Sequence, residues 1–280
     1  MTSAPTRRWL RITLAATLVI LVVALAYRAA LVFLWNTWTT DAYYTHGIPV
    51  AFAAALLAAW RWWRGDASDA PSYAPFVLAI PVFVYVAGLR LVSAHLVLWS
   101  LPALLLAVAF AAGGAARARA MLAPVALFAL TLPTPWTLPF GLAMQQASAF
   151  AAGAILALVG IGFSVDITTL HAGDLVFEVT PACSGFQSAV SLLALAALVA
   201  ALVPMSRARR ATMLVAAVPL ALVLNVARIL AIVGIGLRWG TDAAEGFFHN
   251  ASGLLLFLGE VLVLSAIAGL VRAPGRRSVG

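Results

Sequence analysis

The sequence predicts an all-α polytopic membrane protein of about eight transmembrane helices, with a small extracytoplasmic β-hairpin before one late, catalytic helix. Three observations predict it. Of the 280 residues, 64% are hydrophobic and only 9% are charged, where a soluble domain carries roughly 25% charged residues. Several apolar runs reach the ~20 residues that cross ~30 Å of hydrocarbon. The basic residues, all arginine, sit in short clusters between those runs, as topology determinants do. The net charge of +8 therefore points to the lipid bilayer, and no nucleic-acid partner is expected. A single cysteine rules out an intramolecular disulfide or a cysteine-clustered metal site. No cofactor and no metal are expected, because no histidine pair has metal-ligand spacing and no glycine loop for phosphate is present. The first apolar run is long and has no small-residue cleavage site, so no cleavable signal peptide is expected.

The elements follow from the charge clusters in order. TRRWLR (6–11), RWWRGD (61–66), ARAR (116–119), SRARR (206–210) and RAPGRR (272–277) are placed on the cytoplasmic side. Asp41, Asp166, Asp174, Glu178, Asp242 and Glu245 fall between them and belong outside. Spans are expected at 9–35, 46–63, 74–92, 94–113, once within 120–162, then at 184–204, 211–237 and 249–271. Both termini are then cytoplasmic, in an inner-membrane protein with one integral domain, 1–280. Its N-terminal helices cover 9–113, its catalytic region about 120–265 and its tail 272–280. Parity allows one net crossing in 120–162, so 120–132 is read as a short span and 142–162 as a helix at, or dipping into, the outer interface.

Residues 163–180, FSVDITTLHAGDLVFEVT, alternate apolar and polar around the turn HAGD. Val165, Ile167, Leu175, Phe177 and Val179 are expected to share faces of a two-stranded hairpin. Its edges cannot face lipid, so it should lie at the outer surface and lead into Cys183.

Chemistry is expected there. VTPACSGFQS places Cys183 in the first turn of the next helix, where unpaired amides and the dipole favour an anion. That setting suits a thiolate nucleophile; the plain alternative is a small buried hydrophobe. In the following span, Asn225 and Arg228 lie three residues apart on one face of an apolar helix. Arg228 sits about 12 Å below the expected outer end. An intramembrane arginine usually faces a partner or a wet cavity; an ion pair with Glu260 is the alternative to a thiolate partner. His249, in AEGFFHNASG at the start of the last span, has the side chain best suited to proton transfer near neutral pH. Cys183, Arg228 and His249 thus come from three successive spans at one face. Asn225, Ser184, Gly185, Gln187, His46 and Glu178 are supporting or substrate-binding candidates.

ACSG after a β-like segment, NxxR in the next span and AEGFFH before the last one resemble the exosortase/archaeosortase family. YTHG near the second span and LPTPWTLP before MQQAS fit the same pattern, so the resemblance covers about 40 to 260. It implies a multi-pass cysteine protease or transpeptidase acting on secreted proteins with a PEP-CTERM-like sorting signal. That signal is a short motif, a transmembrane helix and a basic tail. Cys183 would be the nucleophile of an acyl-thioester, with Arg228 and His249 completing the site and a lipid or glycan, or water, as acceptor. Arginine does not give up its proton in proteins, so His249 is the better acid/base and Arg228 the better charged donor. Many members have arginine where this chain has Gln187 and serine where it has Thr45, which leaves the subfamily and its motif open. A transporter or channel, or an assembly factor without chemistry, are the rival readings.

Overall fold

The computed structural model describes residues 21–65, 68–172, 175–245 and, in the last apolar run, 258–259, 261–263 and 266. The chain is largely helical. After a helical stretch at 21–26, α1 spans Arg28–Thr40, α2 Gly47–Arg64, α3 Ala74–Val77, α4 Ala79–Arg90 and α5 Ala94–Ala129. Then come α6, Thr137–Leu158, three strands, a 3-10 turn at Pro181–Cys183, α7 at Phe186–Leu202, α8 at Arg207–Trp239 and the short α9 at Thr241–Glu245. Among the described residues, α5, α6 and α8 are long and apolar enough to cross a membrane, and Ala74–Arg90 and Phe186–Leu202 are shorter apolar helices. The architecture is that of a multi-pass membrane protein.

The 36 residues of α5 are not one rod. Gly113 (φ −168°, ψ 32°) and Gly114 (φ 58°, ψ −160°) leave helical backbone between PALLLAVAFAA and the arginine cluster. Ala109 packs with Met121 and Val125 across that break. The His95 ring, at one extreme, lies 3.1 Å from the Pro133 carbonyl beyond the other. A straight helix of this length would part those ends by about 54 Å, so α5 is a hairpin of two antiparallel legs. The turn leaves no room for a side chain, because a Cβ on Gly114 would meet Ser68 Oγ and, at 2.7 Å, the Asp69 carbonyl. Gly114→Ala is therefore expected to lower stability by about 1–3 kcal/mol, read as an earlier thermal unfolding transition in detergent.

Two ends of the bundle are thereby defined. At one, the Arg61 guanidinium donates to the carbonyls of Ala120 (3.1 Å) and Ala201 (2.8 Å), so the arginine-bearing turns after α2, within α5 and between α7 and α8 gather together. At the other, Gln187 Nε2 donates to Thr45 Oγ1, and the Trp38 indole donates to the Thr131 carbonyl at 2.8 Å. The legs α7 and α8 join the two ends as an antiparallel pair. Ala189, Leu192 and Ala196 pack against Met213, Ala217 and Ala221, small residues that let the backbones approach. Within α8, Pro219 has no N–H to donate to the preceding turn.

Helix α6 belongs to the second end. Its Thr137, Gln145 and Ser148 bond respectively to Tyr44, Val179 and Ser184. Its later residues Ala149, Ala152 and Leu156 share a core with Leu170, Ala172, Val179 and the far half of α8. Helix and sheet both pack against the far half of α8.

The sheet corrects the expected hairpin. It has three antiparallel strands, β1 Phe163–Asp166, β2 Thr169–Ala172 and β3 Leu175–Glu178, in that order. Asp166 pairs with Thr169, and Ala172 with Leu175. The additional reversal is a two-residue turn at Ile167 and Thr168, with Ile167 at φ 52° and largely exposed. Ile167 therefore lies on a turn and not on a strand face. No Asn-Gly or Asp-Gly pair marks this turn, and alternation alone ran through it.

Candidate active site

The turn carrying Cys183 is built from residues that refuse to continue a helix. Thr180 is extended, and Pro181 opens a single 3-10 turn in which the Cys183 N–H donates to the Thr180 carbonyl at 2.8 Å. Ser184 Oγ donates to the Pro181 carbonyl (2.7 Å) and accepts the Phe186 N–H (3.0 Å), the first amide of α7. Between them Gly185 takes a left-handed conformation, φ 77°, before α7 starts at Phe186. Cys183 is thus not in the first turn of the helix, as the sequence suggested. The break at Gly185 separates them, and the Cys183 amide already has a partner. Ser184 acts here as a cap.

Three buried side chains hold the carbonyls of this segment. Gln145 Nε2 donates to Val179 O (2.9 Å), Asn225 Nδ2 to Cys183 O (2.7 Å) and Ser148 Oγ to Ser184 O (3.3 Å). Asn225 Nδ2 also donates to Ser148 Oγ at 3.1 Å, and the Tyr43 hydroxyl donates to Gln145 Oε1 at 3.3 Å. Asn225 approaches so closely that a Cβ on Gly185 would stand 3.0 Å from its Cβ.

Cys183 is fully buried, packed with Ala149, Ala152, Leu170, Val179 and Ile229. The expectation of a thiol at the surface is corrected: α6 and β2 cover it. Arg228 is half-buried and lies one helical turn beyond Asn225 on the same face of α8. That helix continues to Trp239, so Arg228 stands about 16 Å from its end, beyond the start of α7. The structure therefore brings Cys183, Gly185 and Asn225 together, with Arg228 next along the helix. His249 and Glu260 lie outside the described residues.

The lower-ranked candidates divide. His46 immediately precedes α2, with Nε2 3.3 Å from the Leu130 carbonyl, and Gln187 reaches Thr45 beside it. Both line a cleft of about 250 Å³ with Thr45, Ser191, Leu127 and Leu198. Glu178 ends β3 opposite Thr169 and is exposed. Among the described residues, no group of three His, Cys, Asp or Glu side chains could hold a metal ion.

Sequence reasoning missed Gln145, Ser148 and Tyr43. Gln145 and Ser148 stand three residues apart in the apolar α6, the same signal that singled out Asn225 and Arg228.

No curated protein and no solved structure matches the chain. A family described as transmembrane exosortase matches residues 35–266, a stretch that includes Cys183, the α8 pair and His249. That match spans most of the sequence, and with the multi-pass helical fold it settles the affiliation: the chain belongs to the transmembrane exosortase family.

Proposed function

We propose that this exosortase is a membrane-embedded cysteine protease or transpeptidase that removes the C-terminal sorting signals of secreted proteins. One observation carries the reading: the chain's lone cysteine sits on a glycine-broken turn fastened to Asn225, one helical turn from Arg228. A packing cysteine needs none of that apparatus. By the charge rule, the Cys183 end of the bundle faces outside and both termini lie in the cytoplasm. This is the face where a secreted protein, stalled by its C-terminal helix, presents the preceding motif.

The substrate parts the cover of α6 and β2 and brings its scissile carbonyl to the sulfur. His249 takes the thiol proton, and the Cys183 thiolate attacks. A C–S bond forms, and the oxyanion is met by the Arg228 guanidinium, a charge-assisted donor that does not lose its own proton. As the C–N bond breaks, His249 returns the proton to the leaving amine, and the helix with its basic tail departs. An amine or hydroxyl on a lipid or glycan, or water, then attacks the thioester. It yields its proton to His249 and restores the thiol. Splitting one hard step into two is the gain of covalent catalysis.

The test is capture of the thioester. A secreted reporter ending in a short motif, an apolar helix and arginines is co-expressed with the enzyme and quenched in acid. An enzyme–reporter adduct that hydroxylamine cleaves is expected. Trimming without any such adduct in a time course of quenches overturns the covalent route.

A further inference from the structure

We propose that Ser148 and Asn225 are positioning residues for Cys183, a clamp from two helices on the carbonyls of its turn. The proposal rests on the reading of Cys183 as nucleophile. A three-residue 3-10 turn followed by a left-handed glycine is held from within by short-range bonds alone: Cys183 N–H to Thr180 O, Ser184 N–H and Oγ to Pro181 O, and Phe186 N–H to Ser184 Oγ. The direction of the sulfur is set by the peptide planes on either side of the Cys183 Cα. Of these, the carbonyl of the 183–184 plane is held by Asn225 Nδ2 at 2.7 Å, and the next plane along, 184–185, is held by Ser148 Oγ at 3.3 Å. Ser148 Oγ in turn accepts the second proton of Asn225 Nδ2 at 3.1 Å, so the two donors form one unit. Gln145 braces the strand leading in, through Val179 O at 2.9 Å.

The orientation of the Asn225 amide is forced. The Cys183 carbonyl can only accept, so the nitrogen must face it, and both nitrogen protons are then spent. Asn225 Oδ1 is left buried, with no partner among the described residues. The amide is placed for its donors, which meet the Cys183 carbonyl and Ser148 Oγ. Asn225 also precedes Arg228 by one turn. The helical turn that fixes the peptide of the sulfur therefore carries the guanidinium, and the clamp sets the reach between them.

The experiment uses the full-length enzyme with the same reporter and four variants. They are Asn225→Leu, near in size but without donors; Ser148→Ala; the two combined; and Cys183→Ala. Asn225→Leu is expected to slow trimming about 100-fold, as misplacing a reacting group by about 1 Å does. Its melting temperature should fall by only the few degrees that an unpaired buried carbonyl accounts for, and the reporter concentration for half-maximal rate should stay near that of the wild type. Ser148→Ala is expected to lose about tenfold, one hydrogen bond's contribution. The double variant should be no slower than Asn225→Leu, because the pair acts as a unit. Wild-type trimming by Asn225→Leu or Ser148→Ala, or losses that follow only the amount of folded protein, overturn the clamp. Should Asn225→Leu yield no folded protein, Ser148→Ala decides by the same readings. If Cys183→Ala trims the reporter, the nucleophile reading fails and the clamp with it; if it does not while Ser148→Ala and Asn225→Leu trim normally, the clamp alone fails.

Discussion

A Cys183→Ala protein is expected to insert and fold like the wild type while leaving the sorting-signal reporter at full length. The separation of the two effects is what gives the experiment its force. Cys183 is fully buried, so losing its sulfur leaves a cavity about the size of one heavy atom. Such truncations cost on the order of 1 kcal/mol, too little to unfold a bundle this extensive. The backbone that Asn225 and Thr180 hold is untouched, because both bond to main-chain atoms of residue 183. Loss of the nucleophile, by contrast, removes the covalent route altogether. Immunoblots should show the uncut reporter accumulating, and melting curves in detergent should superimpose within a few degrees. A transporter or an assembly factor would be indifferent to the change, and a reporter trimmed normally by the alanine variant would falsify the enzymatic reading.

Gly185→Ala is expected to be nearly as damaging, for a different reason. The left-handed backbone at φ 77° costs a residue with a Cβ about 1–2 kcal/mol. The new Cβ would also stand 3.0 Å from Asn225 Cβ, 3.2 Å from its Cγ and 3.3 Å from Nδ2. Asn225 has to retreat by a few tenths of an ångström, which disturbs its 2.7 Å bond to Cys183 O. A weakened bond to a buried carbonyl adds about 1–3 kcal/mol. The sum, about 2–5 kcal/mol, should appear as a clear drop in melting temperature together with slowed trimming. A Gly185→Ala protein as stable and as active as the parent would show that Asn225 does not grip the turn.

Much of this was legible in the chain. Composition and the arginine clusters announced a multi-pass bundle, and the described arginine-bearing turns do meet at one end, through Arg61. The polar pair in α8 pointed to the Cys183 turn, and Asn225 touches it. The illegible parts have physical causes. Ile167 makes a reversal with a residue type that rarely adopts positive φ, so no turn signal stood there. The sequence of small residues after Pro181 reads equally as a helix start or as a separate turn, and only the conformation at Gly185 decides. Burial of the thiol depends on α6 and β2 folding over it, contacts between segments distant along the chain that local pattern does not encode. Gln145 and Ser148 were readable in principle: they share the three-residue spacing of Asn225 and Arg228, but no cysteine stood nearby to draw attention to them.

The proline in α8 has a mechanical consequence. Pro219 lies six positions before Asn225, on the same rod that starts at the arginine cluster and ends beside the sheet. A proline inside a helix loosens one rung and favours a bend there. Everything past it, including the amide gripping residue 183 and the guanidinium above it, belongs to one continuous helical arm. Flexing at that joint would move the Asn225 amide and the Arg228 guanidinium together, their mutual spacing intact.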